Sequence, residues 1–157
     1  MTQDLVPALT THPFVTSFGP KLVERLAECA ERLHFPAGEF LFRQGDDAEY
    51  LFLVRYGSVA IELATPAGPA VTIQSVIAGE VVGWSWIVPP YTHQFDARAM
   101  ELTRVIALEG ASLRRALQED HELGYVFLRE FVRVIADRLA GVRLQLVDLY
   151  GQHAPLE

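Results

Sequence analysis

The stretch that decides the fold reads FPAGEFLFRQGDDAEYLFLVRYGSVAIEL and covers residues 35–63. It places short apolar or alternating runs between glycines at positions 38, 45 and 57. Gly45 precedes two aspartates, which tolerate the backbone geometry of a tight turn. Residues 51–54 are apolar on both faces, as in a buried strand, and residues 58–63 alternate, as in a half-buried one. The pattern predicts antiparallel hairpins in a small β-roll that holds a ligand.

Length and charge limit the function classes. The chain has 157 residues, of which 50% are hydrophobic, enough for one domain spanning 1–157. Its formal net charge is −7, and Lys21 is its single lysine. Because nucleic-acid affinity depends on clustered Lys and Arg, we expect no nucleic-acid partner.

Cysteine content and the N-terminus indicate a compartment. Cys29 is the single cysteine, so an intrachain disulfide is excluded, and its helical surroundings are typical of a structural thiol. The N-terminus lacks a basic region followed by an apolar core, and no apolar run reaches 18 residues. We therefore predict a cytoplasmic protein without a membrane partner.

Helical patterns flank the predicted roll. Leucines recur at helical spacing over 21–33, and Pro36 and Gly38 follow. The sequence PAGP at 66–69 predicts a hairpin loop before a strand at 71–77. Helical patterns return at 112–118 and at about 122–150. We predict an α+β fold: a jelly-roll-like, double-stranded antiparallel β-roll at about 36–108, between an N-terminal helix and a long C-terminal helix.

The long C-terminal helix carries a heptad seam. Apolar residues follow one another in alternating steps of four and three, as in a coiled coil. This seam comprises Leu128, Val132, Ile135, Leu139, Val142, Leu146 and Leu149. It predicts a parallel homodimer. The alternative is that the seam packs on the chain's own roll, although Phe127, Phe131 and Val134 already supply a second apolar stripe for that contact.

The order and spacing of residues 35–63 resemble the cyclic nucleotide-binding domain family, of the catabolite activator protein type. A weaker resemblance extends over about 9–149. It implies a β-roll that holds a cyclic nucleotide such as cAMP, and a long helix that is both dimer interface and ligand lid. Transcription factors of this type continue into a helix-turn-helix domain. This chain ends at Glu157, so we expect a stand-alone sensor that acts through a protein effector or through dimer geometry.

The resemblance places the ligand site within IAGEVVGWSWIVPPYTHQFDARA, residues 77–99. In the family, a Gly–Glu pair opens a short helical turn whose N–H groups face the cyclic phosphate, and the Glu binds the ribose. Gly79 and Glu80 match that pair by residue. Val81, Val82 and Gly83 then follow as backbone donors.

The family's Arg-Ser or Arg-Thr pair, whose guanidinium neutralises the phosphate, falls on His93 and Gln94. The nearest guanidinium is Arg98, which Asp96 could neutralise from the same strand face. Three alternatives stay open: another small anionic ligand, a cyclic nucleotide held by Arg98 and His93, or no ligand. In the third, aromatic side chains fill the pocket, namely Trp84, Trp86 and Phe95. Such rings are more often core than ligand platforms.

Enzyme motifs are missing. The chain has no Gly-x-Ser-x-Gly elbow and no phosphate loop of the Lys-Ser/Thr type. The histidines stand apart, which argues against a metal site of the cupin kind; they are His12, His34, His93, His121 and His153. We therefore predict no enzyme activity and no metal, and a small-ligand-sensing regulatory module. The alternative is a degenerate roll that serves as a dimerisation or docking scaffold.

Overall fold

The computed structural model describes the backbone of residues 4–153 and the side chains of residues 4–141. Within that part of the chain, two short helices lead into eight strands, and two helices follow. The elements are α1 (Leu5–Thr10), α2 (Pro20–Glu28), β1 (Ala30–Phe35), β2 (Phe40–Phe42), β3 (Tyr50–Tyr56), β4 (Ser58–Leu63), β5 (Val71–Ile77), β6 (Val81–Val82), β7 (Asp96–Ala99), β8 (Thr103–Glu109), α3 (Gly110–Glu119) and α4 (His121–His153).

The strands form two four-stranded antiparallel sheets. The strand order is β1-β8-β3-β6 in the first sheet and β2-β7-β4-β5 in the second. Their facing sides enclose an apolar interior, which includes Phe42, Phe52 and Val54. The predicted fold class, an α+β double-stranded roll between helices, is confirmed.

The prediction of hairpins along residues 40–63 is wrong in one respect. β2 and β4 lie in the second sheet and β3 in the first, so the chain changes sheet at each turn. At Gly57, φ is +97°, and a Cβ would lie 2.5 Å from the carbonyl oxygen of Leu102. The corner therefore requires glycine, because any side chain would collide with fixed backbone. A direct hairpin does join β4 to β5, across the loop predicted at 66–69.

The predicted N-terminal helix at 21–33 is too long. α2 ends at Glu28, and residues 30–35 form β1, which pairs with β8. Leu33 and Phe35 pack against the roll interior, whereas Arg32 and His34 are exposed. Residues 30–35 form a strand and not a helix because all six of them pair with β8, some 70 residues away in sequence. Local helical spacing gives no sign of that partner.

A second apolar cluster lies between the first sheet and the helices. Leu9, Phe14, Phe127 and Phe131 are buried there together with Trp86. Through Phe127 and Phe131, the first part of α4 is fixed on the roll. No helix among residues 4–153 combines the length and apolar content that a membrane span requires.

The heptad seam is only partly covered within the described chain. Leu128 and Ile135 are half-buried against the helical cluster. Val132 and Leu139 are 62% and 58% exposed. The side chains of Val142, Leu146 and Leu149 lie outside the described residues. The homodimer stays a prediction.

Candidate ligand-binding site

Gly79 and Glu80 form the turn between β5 and β6. Gly79 has φ +92° and donates its N–H to the carbonyl oxygen of Val54 at 2.9 Å. The Glu80 carboxylate accepts the N–H of Ile77 at 3.0 Å, so it closes its own turn. Val81 and Val82 are the two residues of β6 and pair with β3. Their backbone therefore belongs to the sheet.

The short helical turn expected after Gly79 instead follows Gly83, four residues later. Gly83 has φ +98°, and Ile87 and Val88 donate to the carbonyl oxygens of Trp84 and Ser85 at 3.4 and 3.3 Å. The residue after this glycine is an indole and not a carboxylate, and the helical turn predicted directly after Gly79–Glu80 is not found at that position. The two glycines are easily confused in the sequence, because only Glu80 and the two residues of β6 lie between them.

Free backbone donors lie at the start of this helical turn. Within residues 4–141, the N–H groups of Trp84, Ser85 and Trp86 donate to no protein acceptor. Successive N–H groups at the start of a helical turn form a site for a negatively charged atom. The turn therefore offers the backbone donors that the sequence analysis assigned to residues 81–83.

A cavity of about 260 Å³ lies between this turn, the inner face of the second sheet and α4. Its lining is mainly apolar. Three of the predicted ligand residues, Gly83, His93 and Gln94, meet there. The remaining lining residues are Phe42, Ile61, Ile73, Gln74, Trp84, Ser85, Phe95, Ile135, Arg138 and Leu139.

His93 lies in the wall of the cavity as a buried aromatic base. Its side chain is 4% exposed, and its ring stacks on Phe42 with centroids 3.4 Å apart. Burial lowers the pKa of His93 to about 4, against the opposing effect of the Asp46 carboxylate. At neutral pH the imidazole is therefore uncharged. It can form a hydrogen bond with a ligand but cannot neutralise an anion.

Arg98 does not line the cavity. Its Nε and Nη2 donate to the two carboxylate oxygens of Glu62 at 2.7 and 3.1 Å. This bonding raises the pKa of Arg98. The partner is Glu62 rather than Asp96, whose carboxylate accepts the N–H of Gln44 at 2.7 Å. Because its neighbour Ala97 faces the roll interior, Arg98 points to the opposite face of the sheet.

Arg138 is a cavity residue that the sequence analysis missed. It lies on α4, and its Nη2 donates to the carbonyl oxygen of Val81. Burial lowers the pKa of Arg138, and the Glu80 carboxylate opposes this shift. The available signal was its spacing from Ile135 and Leu139, since residues i, i+3 and i+4 share a helix face.

A second depression of about 320 Å³ shares Gln74 and Arg138 with the cavity. Gly79, Glu80 and Val81 line it together with Arg133 and Arg138. The predicted ligand residues are therefore divided: one group borders the depression, another borders the cavity, and Val82 packs in the roll interior.

The aromatic residues of this segment have separate roles. Trp86 is fully buried in the helical cluster, with ring centroids 5.8 Å from Phe127 and 5.5 Å from Phe131. Trp84 and Phe95 are half-buried and line the cavity. The interpretation as core is confirmed for Trp86, while the other two leave the cavity open between them.

Proteins of similar sequence or similar fold are known. The cyclic AMP-activated, CRP-like global transcriptional regulator of Mycobacterium tuberculosis is 22% identical over 136 residues, 87% of this chain and 59% of that protein. A cyclic nucleotide-binding domain from Methylobacillus flagellatus superposes with a TM-score of 0.77 at 19% identity, over 94% of this chain and 83% of that one. The catabolite activator protein of Thermus thermophilus gives 0.69 at 24% identity, over 87% and 62%. This chain thus spans about three-fifths of the length of the curated relative.

A family model of the cyclic nucleotide-binding domain matches residues 32–120, from β1 through α3. That match covers more than half of the chain and includes β2 to β8 in full and residues 32–35 of β1. The chain belongs to the cyclic nucleotide-binding domain family.

Proposed function

We propose that this chain is a small-ligand-sensing regulatory module that signals through α4 and through the geometry of a homodimer. One observation carries the proposal: the walls of the 260 Å³ cavity come from both the roll and α4. Gly83, Trp84 and His93 belong to the roll, whereas Ile135 and Leu139 belong to the helix. A ligand in this cavity contacts both parts at once.

This arrangement gives a mechanism for signalling. Before α4 reaches the cavity, it is fixed on the roll through buried Phe127 and Phe131. Beyond them the helix rests on the cavity rim, and Leu139 is more than half exposed. A ligand shifts the orientation of this segment only if it binds one orientation more tightly than another. Direct contacts to Ile135 and Leu139 supply that difference.

Family membership makes cyclic nucleotides, cAMP first, the ligands to test. The free N–H groups of the Trp84–Trp86 turn suit an anionic group such as a cyclic phosphate. Any bound nucleotide is held without Arg98, whose guanidinium Glu62 already occupies. The proposed output is a protein effector in the cytoplasm, contacted through α4 and not through nucleic acid.

The proposed homodimer rests on the seam of α4. Val132 and Leu139 are apolar, exposed and one heptad apart. Pairing two copies of the chain along this seam buries both side chains. Since Leu139 also lines the cavity, the dimer interface and the ligand share a residue. This connects ligand binding to dimer geometry.

Calorimetry and thermal unfolding with cAMP, cGMP and cyclic dinucleotides test the proposal. At a ligand concentration 100 times Kd, binding stabilises the folded state by about 2.7 kcal/mol, which raises Tm by roughly 5–10 °C. Ser85→Phe, which fills the cavity, should remove the response, while Ser112→Phe on the outside of α3 should keep it.

Hydrogen exchange along α4 with and without ligand tests the signalling step. Saturable binding with altered protection near Ile135 and Leu139 supports the module. No saturable response to any of these nucleotides contradicts cyclic-nucleotide sensing. If small-molecule mass spectrometry of the purified protein also finds no ligand, the result favours the alternative, a scaffold for dimerisation or docking.

A further inference from the structure

Arg138 is a partly buried cation without an acidic partner in the described chain. Among residues 4–141 its guanidinium donates to the carbonyl oxygen of Val81, and no carboxylate lies within 4.0 Å of it. Arg133 on the same helix differs: it is 59% exposed and pairs with Glu130 and Asp137. The contrast singles out Arg138.

A guanidinium has five N–H donors, and a single neutral carbonyl satisfies little of that capacity. Removing a cation from water without a counter-charge is unfavourable. The acidic group that acts on the pKa of Arg138 is Glu80, and its carboxylate already accepts the N–H of Ile77. Arg138 therefore lies where an added anion would be favourable.

The lining of the cavity beside Arg138 indicates the chemistry of the rest of the ligand. Among the described side chains that line it, Arg138 is the one cation, because His93 is neutral and the other residues are apolar or uncharged. Trp84 and Ser85, whose N–H groups are free, border the same space. An apolar pocket with one cation and a few N–H donors suits a ligand with one negative charge on a mainly apolar body.

We infer that Arg138 of α4 is the residue that binds the negative charge of the ligand, and that the ligand is a compact monoanion, a cyclic phosphodiester or a carboxylate. This inference rests on the proposed function, since it concerns the same cavity. The guanidinium exchanges the Val81 carbonyl for the ligand anion. Because Arg138 belongs to the helix and not to the roll, this exchange acts directly on α4.

Matched pairs of charged and neutral probes test the inference by calorimetry. The pairs are cAMP with adenosine, for the phosphodiester, and indole-3-acetate with indole, for the carboxylate. We expect the folded wild-type chain to prefer the charged member of at least one pair by about tenfold to a hundredfold, the range of a charge-assisted hydrogen bond. Arg138→Gln should abolish that preference, while Arg133→Gln, the control on the same helix, should retain it.

The outcomes separate this inference from the proposed function. A wild-type chain that binds a probe, with an unchanged charge preference in Arg138→Gln, refutes the role of Arg138 and leaves ligand sensing in place. A wild-type chain that binds none of the four probes overturns the inference. If Arg138→Gln does not fold, Arg138→Lys is tested in its place. A reduced preference for the charged probe supports the guanidinium contact, and an unchanged preference contradicts it.

Discussion

Acid should destabilise this protein through His93, and the size of the effect follows from its burial. The pKa of His93 is lowered from 6.5 to about 4 because the ring is buried against Phe42. Above pH 6.5 the imidazole is neutral in both states and carries no penalty. As the pH falls below 6.5, the imidazole becomes protonated in the unfolded chain but stays neutral in the folded chain. The folded state therefore loses stability until the pH reaches about 4, where His93 is protonated in the folded chain as well.

The lowered pKa of His93 sets an upper limit on the stability that the protein loses in acid through this residue. The lowering of the pKa from 6.5 to about 4 corresponds to roughly 3 kcal/mol of stability over the whole range, and about 2 kcal/mol of it falls between pH 7 and pH 5. His12 contributes to the pH dependence of stability in the same direction, because burial also lowers its pKa. A substitution at His93 is therefore needed to separate the two contributions.

Urea unfolding at pH 7 and pH 5, followed by circular dichroism, measures the effect. His93→Phe keeps an aromatic ring next to Phe42 but cannot titrate, so it should lose about 2 kcal/mol less than the wild type over this interval. His34→Phe, at an exposed position of β1, is the matched control and should keep the wild-type slope. If His93→Phe and the wild type lose the same stability, the assignment of the slope to His93 is refuted.

Three further substitutions have expected outcomes. Gly57→Ala should lower the free energy of unfolding, measured in urea, by about 3 kcal/mol or more, because the added Cβ would collide with backbone atoms. Gly45→Ala, with open space around the added Cβ, should lower it by only about 1–2 kcal/mol. Equal losses in the two variants would contradict the collision. Arg98→Ala should lower Tm by leaving the buried Glu62 carboxylate unpaired, and the added substitution Glu62→Gln should restore part of it; an unchanged Tm would show that the pair is dispensable. Val132→Glu should convert the proposed dimer into a folded monomer in light scattering, since this exposed side chain lies on the seam but outside the cavity; a dimer that persists would exclude the seam as the interface.

The roll was predictable because its signals are local. Glycines mark its turns, and residues 51–54 are apolar on both faces and fully buried, as the pattern predicts. The sheet to which each strand belongs was not predictable in this way. The local pattern predicts a helix at β1 and hairpins from β2 to β4, because the strands that pair with β1 and β2 lie far along the chain.

The candidate site was predicted in part. Three of the residues predicted to bind a ligand, Gly83, His93 and Gln94, border one cavity, and their role as ligand contacts stays a prediction. The predicted partner of Arg98 lies on its own strand, whereas the observed partner, Glu62, is a diagonal neighbour on β4, which becomes apparent only when β4 and β7 are paired. Arg138 could not be predicted from the heptad pattern, because that pattern is defined by the apolar residues of a helix and does not include a cation on the same face.

The positions of Trp84 and Trp86 give this protein two spectroscopic probes with separate tasks. They are its only tryptophans. Trp86 lies fully buried in the helical cluster, and Trp84 borders the cavity. In a Trp84→Phe variant, fluorescence reports the packing of α4 on the roll. In a Trp86→Phe variant, it reports the occupant of the cavity. Ligand entry and the packing of α4 can thus be followed separately, in two variants that carry one tryptophan each and no added label.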